Sequence, residues 1–279
     1  MTTQIRYIVF TDLDGTLLNA DTYGFEAARP ALELLSARSV PVVLCSSKTA
    51  PEMVRLSKAL GTRAPLVVEN GGALLVGGEP GLPPGWGEPR QEGWRQMVLG
   101  RRYEDLAAAL ARLRQELNLS LRGFAEMDAA EVAQLTGLPA EEAELARARE
   151  FSEPFTLEGG EEGLRALSAR AAALGLRVVR GLRFHHLMGA TDKARALRLA
   201  RDLYAASWGG GPIASIGLGD SPNDLLMLLN VDLPVLVRAK TGRGWEPGCD
   251  IPGLYRTALP GPAGWNEAIH HILNERRRP

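Results

Sequence analysis

The chain has 279 residues, 45% of them hydrophobic and 23% charged, with a formal net charge of −1. That length exceeds the usual domain of about 100–200 residues, so one large or two modest domains are expected. The near-zero charge argues against a nucleic-acid partner, which needs a basic face, and no apolar run approaches the ~20 residues of a membrane span.

Cys45 and Cys249 lie far apart and match no metal or redox spacing. The N-terminus shows no charged-then-apolar leader, so a soluble, cytoplasmic protein is expected. Of the 32 basic residues only Lys48, Lys58, Lys193 and Lys240 are lysines. A GC-rich genome or a heat-adapted source would each produce that skew. The run Arg276–Arg278 reads as a solvated helix end, where cations complement the helix dipole.

Taken in order, residues 5–11 are an apolar run ending in Phe10-Thr11-Asp12-Leu13-Asp14-Gly15-Thr16. Ala31–Arg38 has helical spacing, with Pro30 tolerable near its start. The run 40–45 follows, and Thr49-Ala50-Pro51-Glu52 opens another helix with Thr49 as its N-cap. Leu66–Val68 is a short strand before the turn Glu69-Asn70-Gly71-Gly72. Residues 77–87 are dense in Gly and Pro, the mark of a boundary.

Beyond it the texture changes. Helical patterns at Tyr103–Leu117, Pro139–Arg149 and Glu161–Leu174 alternate with strand-like pieces near Leu119–Phe124, Glu150–Phe155, Leu176–Val179 and Phe184–Met188. Continuous apolar runs resume at Ile213–Leu218 and Leu233–Val237. Such runs fit strands buried on both faces of a parallel sheet. The fold class is therefore α/β: a parallel-sheet core from 1–83 and 190–279, with an α+β domain inserted at 84–189.

An open parallel sheet binds ligands at the carboxyl ends of its strands. Asp12 and Asp14 leave the first strand on one side, because side chains alternate with period two. Two anions so placed repel unless a cation or a proton intervenes, which suits divalent metal and phosphate chemistry. Asp14-Gly15 also reads as a plain turn. Ser46 and Ser47 follow the second strand and read equally as helix caps. Lys193 opens a later helix, where it reads alternatively as a solvated first-turn lysine. In Gly219-Asp220-Ser221-Pro222-Asn223-Asp224, Ser221, Pro222 and Asp224 fit an N-cap, N1 and capping acid. Asp220 precedes that cap and continues the strand.

In sequence, Asp-x-Asp-Gly-Thr, Ser, Lys and Gly-Asp-x-x-x-Asp closely resemble the haloacid dehalogenase-like phosphatase superfamily. The resemblance implies a Rossmann-like parallel-sheet core with a cap domain inserted between the second and third motifs. It implies Asp12 as nucleophile of an aspartyl-phosphate, with Asp14 as general acid and then base. Mg²⁺ would sit on Asp12, Asp14 and Asp220, with Asp224 or Asn223 acting directly or through water. Lys193 would neutralise charge, and Ser46, the first residue past its strand, would donate to a phosphoryl oxygen ahead of Ser47.

Glu69–Gly72, Arg149–Phe155, Gly181–Gly189 and Cys45–Thr49 further resemble the mannosyl-3-phosphoglycerate phosphatases, a capped branch of that superfamily. The implied reaction converts mannosyl-3-phosphoglycerate to mannosylglycerate, a compatible solute of heat- and salt-adapted microbes. Such a phosphorylated glycoside carries a carboxylate as well as a phosphate, for which Lys48, Arg149 and Arg183 are the candidate cations. Glu69, Asn70 and Glu150 are candidates for its hydroxyl groups, and Ser47 is a further substrate-binding candidate. Of His185 and His186 one packs and the other faces out, and His185 is the candidate ligand. A glucosyl or sucrose-phosphate-like substrate, a sugar phosphomutase and a catalytically dead binding module stay as alternatives, the last disfavoured by the presence of both Asp12 and Asp14. A monomer or homodimer is expected.

Overall fold

The computed structural model describes residues 5–78, 80–158, 160–181, 183–240 and 244–275, so the Arg276–Arg278 run lies outside the described residues. The first half of the core runs β1 (Arg6–Thr11), α1 (Arg29–Ala37), β2 (Val42–Cys45), α2 (Ala50–Leu60), β3 (Leu66–Val68), β4 (Ala73–Val76), β5 (Glu88–Pro89) and β6 (Arg95–Val98). Next come α3 (Tyr103–Leu117), β7 (Leu121–Gly123), α4 (Ala129–Thr136), α5 (Ala140–Arg147), β8 (Ser152–Leu157), α6 (Gly160–Ala173), β9 (Leu176–Arg180) and β10 (His185–Gly189). The chain then returns as α7 (Lys193–Ser207), β11 (Ile213–Gly219), α8 (Leu225–Leu228), β12 (Leu233–Arg238), β13 (Tyr255–Pro260) and α9 (Gly261–Glu275).

One sheet has nine strands in the order β13-β12-β11-β1-β2-β3-β4-β6-β5. From β13 to β3 the pairing is parallel, and β4, β6 and β5 close the far edge antiparallel. Val9 and Leu44 face one layer, with Leu35 of α1, Met53 of α2 and Trp265 of α9. Ile8, Phe10 and Val43 face the other, against Leu197, Ala200 and Leu203 of α7. Both faces are thus covered, and so the strand sequences read as unbroken apolar runs. Each large side chain taken fully out of water contributes about 1.5–3 kcal/mol.

A second, antiparallel sheet has the order β7-β8-β10-β9. Leu106, Leu110 and Leu113 of α3 and Leu167 of α6 cover one face, with Phe155 and Leu187 beneath. The α4–α5 pair packs on Phe124, Met127 and Phe184. The helix expected over Pro139–Arg149 is α5, and a helix that was not expected, α4, precedes it. Asp128 caps α4, Gly137 ends it at φ 76, and α5 begins after Pro139.

The edge strands also differ from the expected division at residue 84. Leu74 pairs with Met97 and Leu75 with Gln96, so residues through Val98 extend the large sheet. Pairing there satisfies the exposed edge of β4, which a bare Gly/Pro boundary would leave open. Among the described residues no helix is long and apolar enough to cross a membrane.

Candidate active site

Adjacent parallel strands carry the polar motifs to one end of the large sheet. The Asp12 amide donates to the Leu218 carbonyl (2.9 Å), fastening the end of β1 beside the end of β11. Past β1 the chain turns at Gly15, whose φ is +85°. A Cβ there would stand 2.6 Å from Asp220 Oδ2, so only glycine lets the two loops approach. Thr16 Oγ1 donates to Asp220 Oδ1 (3.1 Å), which aims the other carboxylate oxygen at the Asp12 loop.

Lys193 is buried at the first turn of α7, whose N-cap Asp192 accepts from the Arg195 amide. Its ammonium donates to Asp12 Oδ1 (2.6 Å) and Asp224 Oδ1 (2.7 Å). Burial works to lower its pKa, but the two carboxylates outweigh burial and hold it above its ordinary value. Asp224 Oδ2 accepts from the Asp220 amide (3.1 Å) and from the Ser221 amide and hydroxyl (3.2 and 3.1 Å). With both oxygens engaged, Asp224 holds Lys193 and the turn in place, and the capping role read from sequence is realised as well.

Asp12, Asp220 and Asp224 each offer a carboxylate oxygen within 4.8 Å of the others. Burial, and then Asp224, push the Asp12 carboxyl well up and that of Asp220 to about 7. Three carboxylates facing one ammonium leave unbalanced negative charge, and Asp14 Oδ1 is buried without a partner. An all-oxygen donor set with that surplus fits a hard divalent cation such as Mg²⁺.

Around this pole lies a cavity of about 130 Å³, lined from the core by Asp12, Asp14, Ser46, Ser47, Lys48, Asn223 and Tyr23. The smaller sheet and its helices supply Arg149, His186, Arg183, Phe184, Phe124 and Leu138. Lys48 pairs with Asp14 Oδ2 at 3.1 Å and lies 5.0 Å from the Tyr23 ring centre. Ser46 Oγ accepts from the Lys48 amide (3.2 Å), a turn contact ahead of the Thr49 cap that leaves its hydroxyl hydrogen available. Arg183 donates to the Thr136 carbonyl.

Four sequence candidates, Glu69, Asn70, Glu150 and His185, are not among the lining residues. Glu69 is fully buried, and its carboxylate accepts from the Glu150 and Phe151 amides (2.9 and 3.1 Å) and the Ser152 hydroxyl (2.8 Å). Glu150 turns away to pair with Arg90 (2.7 Å). His185 packs on the Phe155 ring, 5.6 Å between centroids. Its neighbour faces the cavity instead: His186 Nδ1 lies 3.5 Å from Arg149 Nη2. Strand alternation separates the two histidines, but the covering of β10 by α3 and α6 decides which one points inward. Asn70 sits just behind the cavity wall, accepting from Asn223 Nδ2 (3.2 Å) while its own Nδ2 has no partner. The apolar lining residues Phe124, Leu138 and Phe184 carried no sequence signal distinguishing them from core.

A carboxylate pair, a buried ammonium and a capped cavity at the ends of parallel strands define a phosphoryl-transfer hydrolase of the α/β class. A family model described as haloacid dehalogenase-like hydrolase matches residues 9–79. A glucosyl-3-phosphoglycerate/mannosyl-3-phosphoglycerate phosphatase from Persephonella marina is 36% identical over 277 residues, covering 97% of this chain and 98% of its own. A relative with the same description from Methanococcoides burtonii is 34% identical over 271 residues, covering 97% and 98%. A haloalkanoate-superfamily phosphatase from Bacteroides thetaiotaomicron shares the fold at TM-score 0.62 and 16% identity, over 97% of this chain and 95% of that one. The chain belongs to the glucosyl-3-phosphoglycerate/mannosyl-3-phosphoglycerate phosphatase family of haloacid dehalogenase-like hydrolases and is a phosphoric monoester hydrolase.

Proposed function

We propose that the enzyme hydrolyses mannosyl-3-phosphoglycerate to mannosylglycerate and phosphate, dependent on Mg²⁺, through a phosphoenzyme on Asp12. The observation that carries this is Arg149 in the same cavity as Asp12, with Lys48 and Arg183 beside it: a phosphate pole and separate cations for a carboxylate. Both full-length relatives are phosphatases named for that substrate class. They are named for the glucosyl compound equally, which keeps glucosyl-3-phosphoglycerate as a second substrate.

In the first step Asp12 attacks phosphorus, forming an O–P bond as the ester oxygen leaves. Asp14 supplies the proton to that oxygen. In the second step Asp14 takes a proton from water as its oxygen displaces Asp12, returning both carboxyls to their starting state. Lys193 stabilises the charge on the phosphoryl oxygens and fixes Asp12 in place, and the Ser46 hydroxyl donates to one of those oxygens. Asp12, the Asp14 backbone carbonyl and Asp220 would hold Mg²⁺, which when bound neutralises the surplus carboxylate charge and polarises the phosphoryl group.

The resemblance and the arginine-rich composition support a cytoplasmic role in compatible-solute synthesis in a heat-adapted source. Phosphate release across a phosphosugar panel tests the substrate assignment. Both glycosyl-3-phosphoglycerates should lead the panel by kcat/KM, and preference for a carboxylate-free sugar phosphate would overturn it. Turnover without added sugar bisphosphate separates hydrolase from mutase.

A further inference from the structure

We infer that Glu69 is a positioning residue: from the end of β3 it sets the orientation of Arg149, and with it the recognition of the substrate's carboxylate. The inference rests on the proposed function for the nature of the ligand, and on this chain's geometry for everything else.

A glutamate with no exposed surface is costly unless every oxygen is engaged. Glu69 lies on the core side, while its partners Glu150, Phe151 and Ser152 enter β8 of the smaller sheet, so the carboxylate ties the two units together. Arg149 Nε lies 3.7 Å from Glu69 Oε2, outside hydrogen-bond reach, and finds no other partner. The Arg149–Glu69 contact is therefore a charge that orients the guanidinium without saturating it. Nη1 donates to the Ser47 carbonyl (2.9 Å), and Nη2 faces His186 Nδ1.

The backbone is built for this placement. Glu69 and Asn70 hold φ of +47° and +56°, a left-handed conformation that non-glycine residues adopt rarely. Gly71 follows at φ +95°, and a Cβ on it would stand 2.2 Å from the Asp192 carbonyl oxygen. The Thr191 hydroxyl closes the turn by donating to the Gly71 carbonyl (2.8 Å). A strained turn wedged where the chain re-enters the core, with its one carboxylate spent on residues 149–152, is explained by the need to place Arg149.

Competition with p-nitrophenyl phosphate hydrolysis tests this without requiring turnover of any glycoside. The probes are 3-phosphoglycerate and glycerol 3-phosphate, which differ by the carboxylate. Glu69→Gln should weaken inhibition by 3-phosphoglycerate about tenfold more than inhibition by glycerol 3-phosphate, the size of one oriented charge-assisted contact. In an Arg149→Ala background the same substitution should add no further discrimination, because Glu69 acts through Arg149. Equal weakening of both inhibitors, or an undiminished effect without Arg149, overturns the inference. Should Glu69→Gln fail to fold, Arg149→Lys replaces it: the charge stays but the fork that Glu69 orients is gone. Loss of discrimination then supports the inference, and wild-type discrimination refutes it. Failure of the proposed substrate appears separately, as wild-type enzyme that releases no phosphate from either glycosyl-3-phosphoglycerate.

Discussion

At Asp12, burial and the facing Asp224 carboxylate raise the carboxyl's pKa, while Lys193 opposes both. Asp12→Asn removes the proposed nucleophile and relieves that repulsion, so phosphate release should vanish while the melting temperature does not fall. Retained turnover of the purified variant would remove Asp12 from the nucleophile's role. His186 gives a pH prediction of its own. Burial, then Arg149, depress its pKa to about 3, below the value of 6.5 for an exposed ring. Between those limits the unfolded chain binds the extra proton, so stability is lost as pH falls from 6.5 towards 3. The slope from this one group approaches about 1.4 kcal/mol per pH unit. Urea unfolding of His186→Gln across that range should show a correspondingly shallower decline, and a parallel curve would contradict the neutral, buried ring.

Among the elements, α2 shows how local chemistry places the site. Thr49 accepts from the Glu52 amide (3.4 Å), and Glu52 Oε2 accepts from the Thr49 amide (2.8 Å), a complete capping box. The Thr49 hydroxyl also donates to the Leu145 carbonyl of α5 (2.8 Å), linking this cap to the smaller unit. Thr49→Ala should cost about 1–2 kcal/mol, measured by denaturant midpoint, since a cap and an inter-element bond go together. A cost below about 0.5 kcal/mol would show the box to be dispensable. This cap was legible because its partners are three residues apart. The α4 helix was missed although Asp128 and Glu131 form the same kind of box: eight residues are short for a helix on its own, and its packing on α5 and Phe124 joins residues distant in sequence. β5, β6 and β13 escaped as well, since two- to six-residue strands at or next to a sheet edge take their identity from their partners.

For the whole molecule, the acidic pole is a candidate cation site assembled only when the chain folds. A cation that binds only the folded chain stabilises it by about 2.7 kcal/mol at a hundredfold excess over its dissociation constant. Magnesium in the millimolar range should therefore raise the melting temperature, and Asp220→Asn should abolish most of that rise. A wild-type midpoint indifferent to magnesium would exclude the cation from this cluster. The residues that hold the pole were set by sequence alone: strand ends are local, and a carboxylate or lysine beside an apolar run announces itself without its neighbours. Asp12, Asp14, Ser46, Lys193, Asp220 and Asp224 were singled out as candidates at such ends, and the structure brings them to one end of the large sheet. What faces the cavity from the smaller sheet was decided only by tertiary structure. Glu69 and Glu150 read as sugar ligands until one proved buried against residues 149–152 and the other paired with Arg90. His186 rather than His185 reached the cavity because helices already covered the opposite face of β10. Alternation along a strand is written in the chain, but the side that meets the ligand depends on which face the rest of the molecule has already buried.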